Sequence, residues 1–269
     1  HPLEYVWIDD TMSALRRDFL PSDAKREMDA AGFDACIAVQ ARQTLDETRW
    51  LLELADRHAF IAGVVGWADL PANDVREQLT GFAQNRKLVG IRHLVQSEPD
   101  ERFLLRPAFC RGIAALPEFG LTYDLLVYPR HLRVAAEFVA RFERQPFVLD
   151  HIGKPDIRGG EIERWARDIQ ALAAAPNVWC KLSGLVTEAD WQRWTPAAIR
   201  PYLDVVFECF GAGRLMIGSD WPVCTVAGDY RRTMAVVIDY LADRPAAERE
   251  AVLGGTATKL WKLNGHGQA

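Results

Sequence analysis

Residues 147–184, FVLDHIGKPDIRGGEIERWARDIQALAAAPNVWCKLSG, contain one complete unit of the pattern that repeats along this chain. An apolar run of strand character begins at residue 147, and residues 162–174 follow with apolar side chains at helical spacing. A second apolar run begins at residue 177. Because both runs are almost continuously apolar, we expect strands that are buried on both faces, as parallel strands covered by helices are.

The same alternation occupies most of the chain. Apolar runs bounded by glycine, proline or aspartate predict strands that begin near residues 34, 61, 88, 121, 147, 177 and 214. The starts lie about 30 residues apart on average, which is the length of a strand and helix unit rather than of a β-hairpin. Helical spacing between them covers residues 44–58, 75–82, 107–116, 132–142, 162–174, 196–210 and 230–241, and a further helix is predicted at 21–31.

Alternating strands and helices define an α/β fold, and two architectures of that class are open. A (β/α)8 TIM barrel needs eight strands, whereas a doubly wound open sheet accommodates seven. Residues 1–33 contain no apolar run of strand character, so a barrel would have its first strand upstream of residue 1. We expect one domain over residues 1–269 with a helical tail at 246–263, because no linker divides the chain.

The composition is that of a globular protein and argues against several classes of function. Of the 269 residues, 49% are hydrophobic, and 32 basic side chains stand against 37 acidic ones, for a formal net charge of -5. This balance, without a block of Lys and Arg, predicts no nucleic-acid partner. No apolar run approaches the ~18 residues of a membrane-spanning helix. No secretory signal is visible either, so we predict no membrane partner.

The cysteines indicate the cellular compartment. Five cysteines form no CxxC pair, and the odd number leaves one unpaired. Cys36 and Cys180 lie inside apolar, strand-like runs, which predicts reduced core residues. Reduced cysteines are typical of a reducing compartment, so we expect a cytoplasmic protein. The sequence leaves open whether the chain forms a homo-oligomer.

Ligands bind beyond the carboxyl ends of the strands in either α/β architecture. Asp220 follows the apolar run LMI at 215–217, where partial burial would suit a carboxylate that acts as a general base. His151 lies in the run that begins at residue 147 and could carry a proton, stabilise an oxyanion or bind a metal. The alternatives are that Asp220 only caps a helix or turn and that His151 only fills space.

Arg92 and His93 are adjacent on one predicted strand, so their side chains point to opposite faces of the sheet. We expect Arg92 to face the interior, since a buried guanidinium needs a partner that is anionic or rich in oxygen, such as a substrate. A structural ion pair with an Asp or Glu is the alternative.

Further side chains complete the predicted substrate pocket. Tyr123 and Asp124 offer a phenol and a carboxylate to a ligand rich in hydroxyl groups, although a core position would equally suit Tyr123. Lys181 could bind a ligand oxygen or extend its ammonium group to solvent. We expect Trp221 to form a rigid wall and the loop at 187–195, which contains two tryptophans, to select the substrate.

Other signals lie outside this site or are absent. We expect His58, His131 and His266 at the surface, and Cys224 has no adjacent base that would make it a nucleophile. The motifs GxGxxG, GxxxxGKS/T, HExxH and GxSxG do not occur. Their absence argues against dinucleotide, P-loop, zincin and serine-hydrolase chemistry.

Five runs, taken together and in order, resemble the amidohydrolase-superfamily lactonases. They are VGIRHLVQSEP (89–99), GLTYDLLVYPRHL (120–132), PFVLDHIGKP (146–155), NVWCKLSGLVTEADW (177–191) and RLMIGSDWPVC (214–224). The resemblance extends from about Tyr5 to Leu263 and is greatest to the sugar lactonases that act on L-fuconolactone or L-rhamnonolactone. Pyrone-dicarboxylate and muconolactone hydrolases are more distant. The resemblance implies a (β/α)8 barrel that hydrolyses a sugar lactone to a hydroxy acid.

The resemblance also implies roles for single residues. Asp220 matches the general base that activates water, His151 the histidine beside the substrate carbonyl, Arg92 a substrate contact and Tyr123 a residue lining the pocket. The His-x-His pair of the family's first strand is absent from these 269 residues. We favour a reaction that requires no metal, because a lactone carbonyl is easier to attack than an amide. The alternative is zinc held by His151 and Asp220.

Two other functions are open at this point. The first is a metal-dependent decarboxylase of the related aromatic-acid group, and the second is a barrel that binds sugar acids without turning them over.

Overall fold

The computed structural model describes residue 5 and residues 7–263, and at its centre lies a parallel sheet of seven strands. The strands follow one another across the sheet in the order of the sequence. They are β1 (Cys36–Val39), β2 (Ile61–Gly66), β3 (Leu88–His93), β4 (Thr122–Leu125), β5 (Phe147–Leu149), β6 (Val178–Leu182) and β7 (Leu215–Ile217). Each begins within two residues of its predicted start, so the strand prediction is confirmed.

Helices occupy the chain between the strands. They are α1 (Pro21–Ala31), α2 (Leu45–Arg57), α3 (Val75–Phe82), α4 (Pro107–Ala115), α5 (Leu132–Val139), α6 (Glu163–Ala173), α7 (Pro196–Phe210), α8 (Tyr230–Leu241), α9 (Ala246–Glu250) and α10 (Thr256–Trp261). Each helix predicted from apolar spacing is present. The predicted tail consists of α9 and α10, which a π-helical turn at 251–255 joins.

Local sequence signals explain where two of these helices begin. The Thr44 hydroxyl accepts a hydrogen bond from the Glu47 amide at the start of α2. The Asp229 carboxylate accepts one from the Arg232 amide at the start of α8. Such caps satisfy backbone amides that have no partner in the first turn and stabilise a helix by ~1 kcal/mol.

The sheet buries both of its faces, as its apolar runs predict. Val64 and Val65 are neighbours on β2 and therefore point to opposite faces, yet neither is accessible to solvent. On β3, the ring of His93 lies on the outer side and stacks on Phe103, with 4.8 Å between ring centroids. Arg92 points into the interior, as expected.

The inner face of the sheet is concave, because side chains from strands that are not neighbours meet across it. Arg92 of β3 donates a hydrogen bond to the carbonyl of Gln40, which follows β1, and Lys181 of β6 contacts Asp124 of β4. The seven strands thus curl in the manner of a (β/α)8 barrel, with their carboxyl ends at one mouth. A strand upstream of residue 1 stays a prediction.

Candidate active site

Three side chains from successive strand ends meet at the mouth of the barrel. His151 follows β5, Ser183 follows β6 and Asp220 follows β7. The Nδ1 atom of His151 lies 2.8 Å from the Ser183 hydroxyl oxygen, and its Nε2 atom lies 3.7 Å from Asp220 Oδ1. The structure therefore brings together the two residues that the sequence predicted as catalytic and adds Ser183, which the sequence analysis missed.

The backbone that holds this pair is strained. His151, Ile152 and Lys154 have φ values of 53°, 48° and 52°, and Asp220 has a φ of 53°. Residues other than glycine avoid this left-handed region at a cost of ~1–3 kcal/mol each, and a β-branched isoleucine avoids it most strongly. The Trp165 indole N–H donates a 2.9 Å hydrogen bond to the Ile152 carbonyl and helps to hold the turn.

Two glycines make room for the pair. A Cβ atom on Gly184 would lie 2.7 Å from both Cβ and Cγ of His151, and one on Gly218 would lie 3.0 Å from Cβ of Ser183. Gly184 also has a φ of 63°, which side chains disfavour. The close approach of these strand ends therefore depends on residues without side chains.

Burial controls the charge of His151. Its side chain is 11% exposed, and that of Asp220 is 18% exposed. Burial lowers the pKa of His151, although the carboxylates of Asp220 and Asp150 oppose this effect. The imidazole is therefore neutral at pH 7 and carries a single ring proton.

Beneath the pair, four charged side chains form a buried ionic cluster, which consists of Arg92, Asp124, Asp150 and Lys181. Arg92 Nη1 lies 2.8 Å from Asp150 Oδ2, and Lys181 Nζ lies 2.7 Å from Asp150 Oδ1. Lys181 also contacts Asp124. Both carboxylates are inaccessible to solvent, so each depends on its basic partners for charge compensation.

The two carboxylates of the ionic cluster respond differently to burial. Burial opposes ionisation of Asp150, but the positive charges of Lys181 and Arg92 prevail and lower its pKa. Burial raises the pKa of Asp124 to about 6 despite its contact with Lys181. The pKa of Lys181 is raised, because Asp124 and Asp150 outweigh its own burial.

These contacts modify the predicted roles of three residues. Arg92 is occupied by Asp150 and the Gln40 carbonyl, which favours the structural ion pair over a substrate contact. Lys181 neither extends to solvent nor reaches the mouth, because both of its anionic partners lie inside the barrel. Asp124 is likewise committed to Lys181.

The structure does not place Tyr123 in a pocket. Its ring packs edge-on against those of Phe109, Phe138 and Phe147, at centroid distances of 5.8, 6.3 and 6.2 Å. The pleat explains this correction, since Asp124 faces the interior and its neighbour must therefore face the helices. Tyr123 therefore occupies a core position, which was the alternative left open by the sequence.

The expected surface position of His131 is wrong. His131 is inaccessible to solvent, and its Nδ1 accepts a 3.1 Å hydrogen bond from the Tyr128 amide, which fixes the turn before α5. His58 is half-buried beside Phe60, and His266 lies outside the described residues. Cys224 is buried, which raises its pKa to about 12 and makes it a poor nucleophile, as expected.

The two predicted walls of the pocket differ in exposure. Trp221 is half-buried next to Asp220 and meets the Phe19 ring edge-on at 5.3 Å. In the loop at 187–195, Trp194 is buried, and its indole donates a 2.7 Å hydrogen bond to the Ala227 carbonyl. That tryptophan anchors the loop rather than facing a ligand.

A cavity of about 300 Å³ opens beside the strained His151 turn. Side chains from the loops after β4, β5 and β6 line it: Tyr128, Pro129, Arg130, Lys154, Asp156 and Glu188. Lys154 Nζ lies 3.0 Å from Glu188 Oε1 and 5.1 Å from the centre of the Tyr128 ring. The sequence analysis missed these residues, although their positions after predicted strand ends were a usable signal.

The ionisation of Lys154 and Glu188 links this cavity electrostatically to Asp220. Burial opposes the charge of Lys154, but its interactions with Glu188, Tyr128 and Asp220 together outweigh this effect and raise the pKa of Lys154. Burial raises the pKa of Glu188, and the negative charge of Asp220 adds to the shift in both groups. The cavity and Asp220 therefore share one electrostatic environment.

The donor set for a metal is incomplete in the described part of the chain. His151 and Asp220 are close enough to contact one ion, but catalytic zinc sites usually take three protein ligands. Within residue 5 and residues 7–263, no group of three or more His, Cys, Asp or Glu side chains is placed to hold a metal. These residues alone do not fit a zinc site.

Comparison with known proteins places similar sequences and folds among the amidohydrolases. The amidohydrolase family matches residues 10–263. An L-fucono-1,5-lactonase of Burkholderia multivorans is 44% identical over 97% of this chain and 91% of its own length. An L-fucono-1,5-lactonase of Burkholderia ambifaria is 38% identical over 96% of this chain and 90% of its own length.

A solved structure agrees with these matches. The crystal structure of an amidohydrolase from Burkholderia multivorans with bound zinc is 42% identical, has a TM-score of 0.94 and covers 98% of this chain and 95% of its own. The bound zinc lends no support to our preference for a reaction without metal, and zinc stays open as a cofactor.

The curled parallel sheet and its strand-end site define an α/β-barrel enzyme. The chain belongs to the amidohydrolase family, which confirms the resemblance and the barrel fold inferred from the sequence. Among the helices that the structure describes, none combines the length and the apolar character needed to span a membrane.

Proposed function

We propose that this protein opens the ring of a sugar-acid lactone, such as L-fucono- or L-rhamnonolactone, by hydrolysis. The observation that carries this proposal is the pairing of Asp220 with the neutral His151 ring at the carboxyl end of the barrel. The two L-fucono-1,5-lactonases that match nearly the whole chain support the choice of substrate class.

The proposed reaction uses Asp220 as the base. Its carboxylate takes a proton from a water molecule, whose oxygen attacks the carbonyl carbon of the lactone. The carbonyl oxygen gains negative charge beside His151. The ring C–O bond then breaks, and the ring oxygen takes the proton from Asp220 and becomes a hydroxyl group. Positioned bases of this kind contribute typically ~10²–10⁴-fold to a rate.

In this proposal the substrate lies in the cavity next to the His151 turn and reaches from there toward His151 and Asp220, which do not themselves line the cavity. The Lys154 ammonium, the Glu188 carboxylate and the Tyr128 phenol offer donors and acceptors to sugar hydroxyl groups. Trp221 forms the wall next to the base. The ionic cluster of Arg92, Asp124, Asp150 and Lys181 shapes the floor without touching substrate.

We derive no step of this mechanism through a metal, because among residue 5 and residues 7–263 only His151 and Asp220 are placed as donors, and two donors do not complete a zinc site.

We also propose that the protein works in the cytoplasm. All five cysteines are free, and Cys180 and Cys224 are buried, as is typical of a reducing compartment.

The experiment is a pH-indicator assay on a panel of aldonolactones, since each ring opened at neutral pH releases one proton. The variant Asp220→Asn keeps the shape of the side chain but cannot accept the proton, so we expect kcat to fall at least ~100-fold. Asp243→Asn, at an exposed position, is the matched control and should retain activity.

Two results would contradict the proposal. One is near-normal turnover by Asp220→Asn, and the other is a wild-type protein that opens no lactone but releases carbon dioxide from an aromatic acid. The assay is repeated with a chelator and with added zinc, because dependence on zinc would require ligands beyond His151 and Asp220.

A further inference from the structure

Ser183 has a buried hydroxyl group that contacts the candidate catalytic histidine. The residue is 3% exposed, and its oxygen lies 2.8 Å from His151 Nδ1. We propose that Ser183 is a positioning residue that holds the proton of His151 on Nε2, so that this N–H points at the lactone carbonyl. The role of this N–H toward a lactone rests on the proposed function, whereas the position of the proton does not.

The direction of this hydrogen bond follows from the requirement that the buried Ser183 hydroxyl proton has an acceptor. A buried hydroxyl proton requires an acceptor, and leaving it without one costs ~1–3 kcal/mol. In the part of the chain that the structure describes, the Ser183 hydroxyl forms its one hydrogen bond with His151 Nδ1. The hydroxyl therefore donates and Nδ1 accepts. A neutral imidazole whose Nδ1 accepts must carry its proton on Nε2.

The Nε2–H group remains available for a ligand. Its nitrogen lies 3.7 Å from Asp220 Oδ1, which is longer than a hydrogen bond. A carbonyl oxygen that enters between the ring and the cavity can accept this N–H while water binds at Asp220. In this arrangement His151 donates a hydrogen bond to the developing oxyanion, and Asp220 acts as the base on water.

Packing shows that the contact is built into the strand ends. Gly184 leaves space for the His151 ring, and Gly218 leaves space for Ser183. His151 itself is held in a left-handed conformation, with a φ of 53°, which non-glycine residues adopt at a cost in free energy. Three strand ends thus converge on a single hydrogen bond.

Zinc binding at Nε2 and the hydrogen bond from Ser183 place opposite demands on the His151 ring. A nitrogen that carries a proton has no lone pair for a metal ion, so zinc on Nε2 would require the proton to move to Nδ1. The Ser183 hydroxyl would then accept and lose the acceptor for its own proton. Ser183 therefore favours the ring as a hydrogen-bond donor.

Nitrogen NMR of the histidine rings tests the assignment without reference to activity. The 30.3 kDa protein contains six histidines, so selective ¹⁵N labelling gives a small set of ring signals, and His151→Gln identifies those of His151. We expect the wild-type ring to carry its proton on Nε2. Ser183→Ala should show a mixture of both tautomers, and the control Ser22→Ala, at an exposed position on α1, should match wild type.

Kinetics measure what the tautomer contributes. Loss of a fixed oxyanion donor costs ~10²–10³-fold in kcat. Without Ser183 the His151 ring would populate both tautomers and would present the Nε2–H donor for part of the time. We therefore expect Ser183→Ala to lose about 10- to 100-fold in kcat. KM should change less than ~3-fold, because a hydrogen bond that strengthens as the oxyanion develops affects kcat more than KM. Ser183→Cys, which keeps a weak donor, should lie between wild type and Ser183→Ala.

The outcomes are distinct. A wild-type His151 ring with its proton on Nδ1 overturns the assignment, even if Ser183→Ala is inactive or fails to fold. A Ser183→Ala protein with wild-type ring signals and wild-type kcat overturns it as well. If the wild-type protein opens no lactone, the proposed function fails, and the ring signals still decide where the proton is.

Discussion

His151 and Asp220 both have left-handed backbone conformations, and the position of the His151 ring depends on the missing side chain of Gly184. At the scale of single residues, the site therefore stores strain that the rest of the fold must outweigh. Strain of this kind is common where a side chain has to be aimed at a ligand. Substitutions that relieve or increase this backbone strain should change both the activity and the free energy of unfolding.

Gly184→Ala tests this dependence. The new Cβ would require a left-handed alanine, at ~1–2 kcal/mol, and would also collide with His151. We expect the free energy of unfolding in urea to fall by at least about 2 kcal/mol and kcat for lactone opening to fall with it. The control is Gly213→Ala, where a Cβ would meet no heavy atom within 4 Å. Equal behaviour of the two variants would contradict a special role for Gly184.

The residues that could be predicted from the sequence were those whose position follows from a strand end. Asp220 and His151 belong to this group, because each lies within three residues of the end of an apolar run. The partners of Arg92 could not be predicted, since Asp150 and Gln40 come from other strands and meet Arg92 only across the curled interior. The orientation of Tyr123 could not be predicted either, because it depends on which face of β4 turns inward. Tyr123 and Asp124 are both polar, so the sequence does not show which of the two faces the interior.

At the scale of elements, the strands and helices were predictable because their burial is periodic. Strands covered on both faces read as continuous apolar runs, and helices that cover them show apolar spacing of about 3.6 residues. The loops were less predictable, because the Ile152 carbonyl in the turn at 150–153 accepts a hydrogen bond from Trp165 and the buried Trp194 donates one to the Ala227 carbonyl. Such long-range contacts leave no periodic pattern in the sequence.

The ionic cluster joins β3, β4 and β6 to the end of β5, and its titration should be visible in stability. Burial raises the pKa of Asp124 from 3.8 to about 6, so the folded protein holds a proton that the unfolded chain releases. The resulting stabilisation is complete below pH 4 and is lost as the pH rises through 6. The asparagine of Asp124→Asn cannot take up this proton, so the variant lacks this contribution to the pH dependence of stability.

We therefore expect the free energy of unfolding of wild type, relative to Asp124→Asn, to fall by about 2 kcal/mol between pH 4.5 and 7.5. Urea unfolding of both proteins at the two pH values measures this difference. Asp243→Asn, at an exposed position, should follow wild type. A constant difference between wild type and Asp124→Asn would mean that Asp124 stays ionised over this range.

At the scale of the whole molecule, the cavity lies between loops that follow three strands of one rigid barrel. Glu188 and Lys154 come from the loops after β6 and β5, and Tyr128 comes from the loop after β4. A ligand that contacts all three loops stabilises the folded state, because it does not bind the unfolded chain. At a concentration of 100 Kd, a ligand contributes ~2.7 kcal/mol.

L-fuconate, the hydroxy acid from L-fuconolactone, is the probe for this linkage. For a chain of this size we expect it to raise the unfolding temperature of wild type by roughly 5–10 °C near saturation. Lys154→Gln removes the ammonium that pairs with Glu188 and faces the cavity, so the shift should largely disappear and KM should rise more than kcat falls. Lys259→Gln, at an exposed position on α10, should keep the full shift. A full shift in Lys154→Gln would contradict a sugar acid bound against the Lys154 ammonium in this cavity.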